Sequence, residues 1–208
     1  MKLLTGSFEK RLRKSISVAW QIFMEKVGGG QLSIEKEASM QEHYKSILQH
    51  VASLICFREN ETVKIELKTD AGIPDKKSKV DLVLDGEKSQ RHYKIAVEMR
   101  CYQEKNGGRN NFMKNVYLDL HRLEECCDLP DFNEGVSLVM NDQETLAHPK
   151  KKTGDGWDYD ISDGTRVSNI ERLKTKIGNN TVDIRLKKSY EFTWNQKGKF
   201  WFMELEGQ

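Results

Sequence analysis

Between residues 7 and 27 the apolar positions Phe8, Leu12, Ile16, Ala19, Phe23 and Val27 recur at helical steps, which predicts a helix with one buried stripe. Ser7 is placed to cap its start, and Gly28-Gly29-Gly30 stops it. A second helix is predicted over about 40–57, with Met40, Tyr44, Ile47, Leu48, Val51, Leu54 and Ile55 inward and Ser39 with Glu42 reading as a capping box. The period then drops to two. Val63-Lys64-Ile65-Glu66-Leu67 alternates as a half-buried strand, and 69–78, with Gly72 and Pro74, reads as a turn. Strands over 79–84 and 93–101 form a hairpin joined by the polar segment 85–92. The second arm, Ile95-Ala96-Val97-Glu98-Met99, is nearly all apolar, as in a central strand covered on both faces.

Beyond the polar run Asn106-Gly107-Gly108-Arg109-Asn110-Asn111, residues 112–127 return to helical spacing, and Val136-Ser137-Leu138-Val139-Met140 reads as a strand. A strand, a helical crossover and another strand imply parallel pairing with a right-handed connection. Residues 141–180, rich in Gly, Asp, Asn and Lys, read as a long irregular insertion with a short helix around 168–176. Strands at about 182–187 and 190–194 are expected to pair with 199–205 through the Gln196-Lys197-Gly198 turn. The pattern predicts one α/β domain over 1–208, a mixed central β-sheet flanked by α-helices, with 1–30 as an N-terminal helical segment.

Composition narrows the function classes. A net charge of +2 excludes a globally basic packaging protein, so a polyanion site is confined to local patches such as Lys10, Arg11, Arg13 and Lys14, or Lys150, Lys151 and Lys152. The four cysteines lack the paired spacing of a zinc site and suit reduced thiols in the cytoplasm. No apolar run approaches the roughly 20 residues of a membrane span, and the N-terminus lacks the apolar stretch of a signal peptide, so the expectation is a cytoplasmic protein with no membrane partner.

The hairpin carries the candidate chemistry. Asp81 and Glu98 stand on its two arms, where a sheet favours apolar residues, and carboxylates facing each other across a hairpin suit a hard divalent cation such as Mg²⁺. The Met99 carbonyl is a further oxygen donor within reach of such an ion. Arg100, two residues past Glu98, points to the same face and is placed for a bidentate grip on phosphate. The plainer alternative is an ion-paired hairpin in which Asp81, Glu98 and Arg100 neutralise one another. Arg109 and Asn110 precede a helix N-terminus, a natural phosphate-binding position that a polar Gly-rich turn explains equally.

Asp81…Glu98-x-Arg100 resembles the PD-(D/E)xK nuclease superfamily. Glu98-Met99-Arg100-Cys101-Tyr102, then Gly107-Gly108-Arg109-Asn110, then Asn115-Val116-Tyr117-Leu118-Asp119-Leu120-His121-Arg122-Leu123-Glu124 is similar to a group of bacterial proteins in that superfamily, with an E-L-K strand, a Gly/Arg loop and a V-Y-x-D-L-x-R-L-E helix. The likeness covers residues 79–140. It implies a restriction-endonuclease-like fold and an Mg²⁺-dependent endonuclease that hydrolyses DNA phosphodiester bonds, with Mn²⁺ as a substitute. Asp81 and Glu98 would be the metal ligands, with Glu42 as the helical carboxylate that members often add. Asp75, in the literal Pro74-Asp75, is the other choice for the motif aspartate. The motif lysine maps onto Arg100, which supplies charge but no proton transfer, and Lys79, on the face of Asp81, is the substitute lysine. DNA is the implied partner, with a homodimer where both strands are cut. The alternative is a catalytically inactive nuclease fold that binds nucleic acid or a protein partner.

Overall fold

The computed structural model describes residues 5–70, 79–167, 172–177 and 180–208. The first helix, α1 (Phe8–Gly28), starts where the Ser7 hydroxyl accepts the Lys10 amide at 3.4 Å, and its whole predicted stripe is buried together with Trp20. The second, α2 (Glu37–Ser53), begins earlier than predicted. Ser39 lies inside its first turn: its Oγ accepts the Glu35 and Lys36 amides, both at 3.2 Å, and donates to the Lys36 carbonyl at 2.7 Å. Ser39 is therefore not the N-cap of a capping box with Glu42, which stands exposed one turn further on.

Three strands follow as an antiparallel meander: β1 (Glu61–Asp70), β2 (Lys79–Lys88) and β3 (Arg91–Tyr102). Ile65 faces Leu84, and Leu84 faces Ile95. The hairpin is longer than the sequence suggested. Asp85 opposes Lys94 and Glu87 opposes His92, so 85–88 and 91–92 are strand and not connection. Across the ladder Asp85 faces the opposite charge of Lys94, and its Oδ1 lies 3.0 Å from His92 Nδ1, so these polar residues have partners in the strand. Only Ser89 and Gln90 turn, at φ 51° and 66°, the conformation a tight two-residue hairpin turn requires.

The helix α3 (Arg109–Cys127) then carries the chain to β4 (Glu134–Asn141), which runs parallel to β3 with Val97 facing Val136, as the crossover predicted. A short helix α4 (Glu144–Ala147), a 3₁₀ turn (Asp155–Tyr159) and β5 (Arg166–Val167) lead to a hairpin of β6 (Arg172–Ile177) and β7 (Asn180–Arg185). The short helix predicted near 168–176 is thus strand from Arg172 onward, and Leu173, Thr175 and Ile177 give the period of two that the lysines between them mask. The remaining strands are β8 (Tyr190–Glu191), paired with β5, and the hairpin of β9 (Asn195–Lys197) and β10 (Phe200–Leu205). The predicted turn at Gly198 holds, but β7 pairs with β6 and β8 with β5, and the strand that reaches β10 through that turn is β9.

The main sheet is mixed and six-stranded, in the order β1-β2-β3-β4-β10-β9. On one face α1 and α2 pack over Leu82, Leu84, Val97, Met99, Leu138 and Phe202. On the other, α3 sets Val116, Tyr117 and Leu120 near Val139 and Met203, and Leu123 and Cys126 against Val83 and Ala96. Both faces being covered accounts for the apolar run in β3. Among the described residues no helix is long and apolar enough to cross a membrane.

Candidate functional site

The ladder between β2 and β3 reaches the Leu82–Val97 pair, and Asp81 stands one residue before it. Its Oδ2 accepts the Met99 N–H at 2.9 Å, so a side chain takes the place a carbonyl would have in the ladder. Strand alternation sends Asp81, Glu98 and Arg100 to the α3 face, since Val83 and Ala96, of matching parity, pack against Leu123. Two residues of α3 meet them there. Asp119 and Arg122 lie three apart, on one side of the helix.

The ion pairs run between elements. The Arg122 Nη1 donates to Glu98 Oε1 at 2.9 Å. Arg100 donates through Nε and Nη2 to the two Asp119 oxygens, at 2.8 and 2.6 Å, a bidentate fork. Its Nη1 lies 3.5 Å from Oε2 of Glu37, the first residue of α2, which also accepts the Cys101 amide at 3.3 Å. The Arg122–Asp119 distance is longer, at 3.8 Å. The Glu98 and Asp119 side chains are each 1% exposed. Glu98 Oε2 has no hydrogen bond among the described residues.

Burial drives the electrostatics. It pushes the Glu98 carboxyl well above its ordinary pKa, Asp119 and Asp81 push the same way, and Arg122 only partly offsets them. Asp119 is also raised by burial, against the pull of Arg100. Glu37 is raised by burial in spite of Arg100, with Asp81 adding to the rise. Burial works against the Arg100 charge as well, but Asp119 and Glu37 outweigh it and hold the guanidinium protonated.

Asp81, Glu98 and Arg100 are therefore together, as the two-residue period of the strands predicted. The expected mutual neutralisation is not what joins them: Glu98 pairs with Arg122 and Arg100 with Asp119. The phosphate grip expected of Arg100 is filled by Asp119. Lys79 is exposed at the start of β2, two residues before Asp81. Glu42 is exposed, and the α2 acid that reaches the cluster is Glu37. Arg109 and Asn110 open α3 ten residues before Asp119, about 15 Å along a helix axis, so they form a separate locus. There the Arg109 guanidinium lies 4.7 Å from the Trp157 ring centroid. Asp75 lies outside the described residues. Tyr159, Trp194 and Trp201 are core residues.

Glu37 and the bridging roles of Asp119 and Arg122 escaped the sequence reading. At i, i+3 Asp119 and Arg122 read as a local pair, which hides that Asp119 is buried within the inward stripe of α3 and that each has its close partner on β3. Glu37 preceded the predicted helix start.

The donor chemistry fits a hard cation. Mg²⁺ is commonly held by one or two carboxylates with water and substrate oxygens completing the shell. Asp81 and the unpaired Glu98 oxygen supply such a pair, although no three His, Cys, Asp or Glu side chains among the described residues converge as a metal cage. In comparisons with known proteins, no protein family, curated protein or solved structure matched the chain.

Proposed function

We propose that the chain is an Mg²⁺-dependent phosphodiester hydrolase acting on DNA, built on a restriction-endonuclease-like frame. One observation carries this reading: among the described residues four carboxylates, Glu37, Asp81, Glu98 and Asp119, share two guanidinium groups, Arg100 and Arg122, and a buried Glu98 oxygen has no hydrogen bond. The raised affinity of Glu98 for a proton expresses a demand for positive charge that a divalent cation meets as well. Asp81 and Glu98 would hold the ion, which supplies charge to a phosphoryl oxygen and acidifies water at neutral pH. Glu37 and Asp119 keep Arg100 fixed and charged beside it. Lys79 is the exposed amine on the Asp81 face.

Calorimetry with Mn²⁺ tests the reading. The native protein is expected to bind the ion, and Asp81→Ala and Glu98→Ala are each expected to abolish the isotherm. Binding unchanged in both variants overturns it.

The bidentate Arg100–Asp119 pair favours a second reading, a nuclease-like fold that binds nucleic acid or a protein partner without cutting. Arg100→Lys separates the two: strand cleavage that appears or rises in the variant marks the arginine as the attenuating feature.

A further inference from the structure

The two arginines of the acidic cluster are not equivalent. Arg100 commits Nε and Nη2 to Asp119 and turns Nη1 toward Glu37, and its side chain is 21% exposed. Arg122 uses Nη1 alone, for Glu98 at 2.9 Å and Asp119 at 3.8 Å, and its side chain is 33% exposed. Its Nε and Nη2 carry no hydrogen bond or ion pair among the described residues. A guanidinium has donors on two edges. The Glu98 carboxylate holds one end of this one, and the open donors share the solvent side of the site.

We infer that Arg122, supplied by α3, is the phosphate-binding residue of the acidic hairpin, and that the ligand it takes is a phosphodiester of a nucleic-acid backbone. Arg100, two residues from Glu98 in the strand motif, is a structural counter-ion. The single bond from Glu98 aims Arg122 without consuming it, whereas the fork from Asp119 consumes Arg100. An anion reaching Asp81 and Glu98 would meet four like charges, and Arg122 is the cation in the cluster with donors left for it. The inference rests on the reading above in taking a phosphodiester as ligand, and its test needs no metal and no turnover.

The probe is a fluorescein-labelled DNA 20-mer duplex at low salt in EDTA, read by fluorescence anisotropy. Removing Arg122 alone would strand the buried Glu98, so the comparison starts from Glu98→Gln, which keeps a neutral partner for the guanidinium. Glu98→Gln is expected to bind the duplex more tightly than the native chain. Adding Arg122→Gln is expected to weaken binding by roughly tenfold and to lower the slope of log affinity on log salt by about 1. Adding Lys64→Gln instead removes the same charge from an exposed site on β1 and is expected to change affinity by less than about twofold. Equal affinities with and without Arg122, no binding by any of these proteins, or an equal loss from Lys64→Gln each overturn the inference. A flat Mn²⁺ isotherm would remove the hydrolase reading and leave this result standing.

Discussion

Arg11 and Glu61 are a second buried charge pair, in which Arg11 uses all three of its nitrogens while Glu61 Oε2 takes the hydrogen bonds and Oε1 has only the Lys88 ammonium at 3.8 Å. The Arg11 Nη2 donates to Glu61 at 2.7 Å, its Nε to the Ile55 carbonyl at 3.2 Å and its Nη1 to the Gly6 carbonyl at 3.0 Å, while the guanidinium lies 4.5 Å from the Phe57 ring. Glu61 also accepts the Phe57 amide at 3.0 Å. Burial raises the Glu61 carboxyl, but the Phe57 amide and Arg11 outweigh it and hold the pKa below its ordinary value. A depressed carboxylate pKa stabilises the fold above the unfolded value of about 4.3, and that stability is lost as the pH falls through the folded value. Glu61→Gln should therefore cost ~3 kcal/mol at pH 7. Its urea midpoint should also fall less steeply than the native one below pH ~4.3. An unchanged acid limb would contradict the assignment. The same scale shows what the sequence hid. The positions of Asp81, Glu98 and Arg100 follow from a period of two, but a strand period says nothing about which helix residues meet them. That pairing needs the distance between β3 and α3, which the spacing within α3 does not contain.

Between elements, α1 packs closely over β2 at Gly86. A Cβ added there would lie 2.1 Å from Leu12 Cδ1 and 3.0 Å from the Phe8 ring, both fully buried. Gly86→Ala should destabilise the protein by ~1–3 kcal/mol through overpacking. Thermal melts of Gly86→Ala, Leu12→Ala and the double variant should give a double-variant loss smaller than the sum of the two single losses, since the shorter side chain removes the clash. Losses that simply add would place the strain elsewhere. Elements with a continuous apolar stripe, α1 and α3 above all, were legible to within a few residues. The outer hairpin arms were not, because Asp85, Glu87 and His92 look like loop residues until each is seen opposite its partner. The β6 strand was hidden the same way, with Arg172, Lys174 and Lys176 filling every second place.

Across the whole molecule, the N-terminal helix and the last strand share one aromatic cluster. Trp20 stacks on Phe23 at 5.1 Å and meets Phe202 of β10 edge-on at 5.7 Å, with Tyr44 of α2 closing the group. Phe202→Ala is expected to cost ~3–5 kcal/mol. Because the lost contact ties both ends of the chain to the sheet, far-UV circular dichroism and tryptophan fluorescence should still report one coincident urea transition, at a lower midpoint. Two separated transitions would show that the ends fold apart from the centre. The place of β10 has one more consequence, in the order of synthesis. This strand lies between β4 and β9 in the sheet, so both of its neighbours precede it along the chain and neither can pair with it until it arrives. On the ribosome Tyr44 of α2 is available to Trp20 and Phe23 early, whereas the part of α1 that Phe202 covers waits until β10 is made. The nascent chain carries that part of the α1 face open until β10 is synthesised, and chaperone capture during this interval protects it from aggregation.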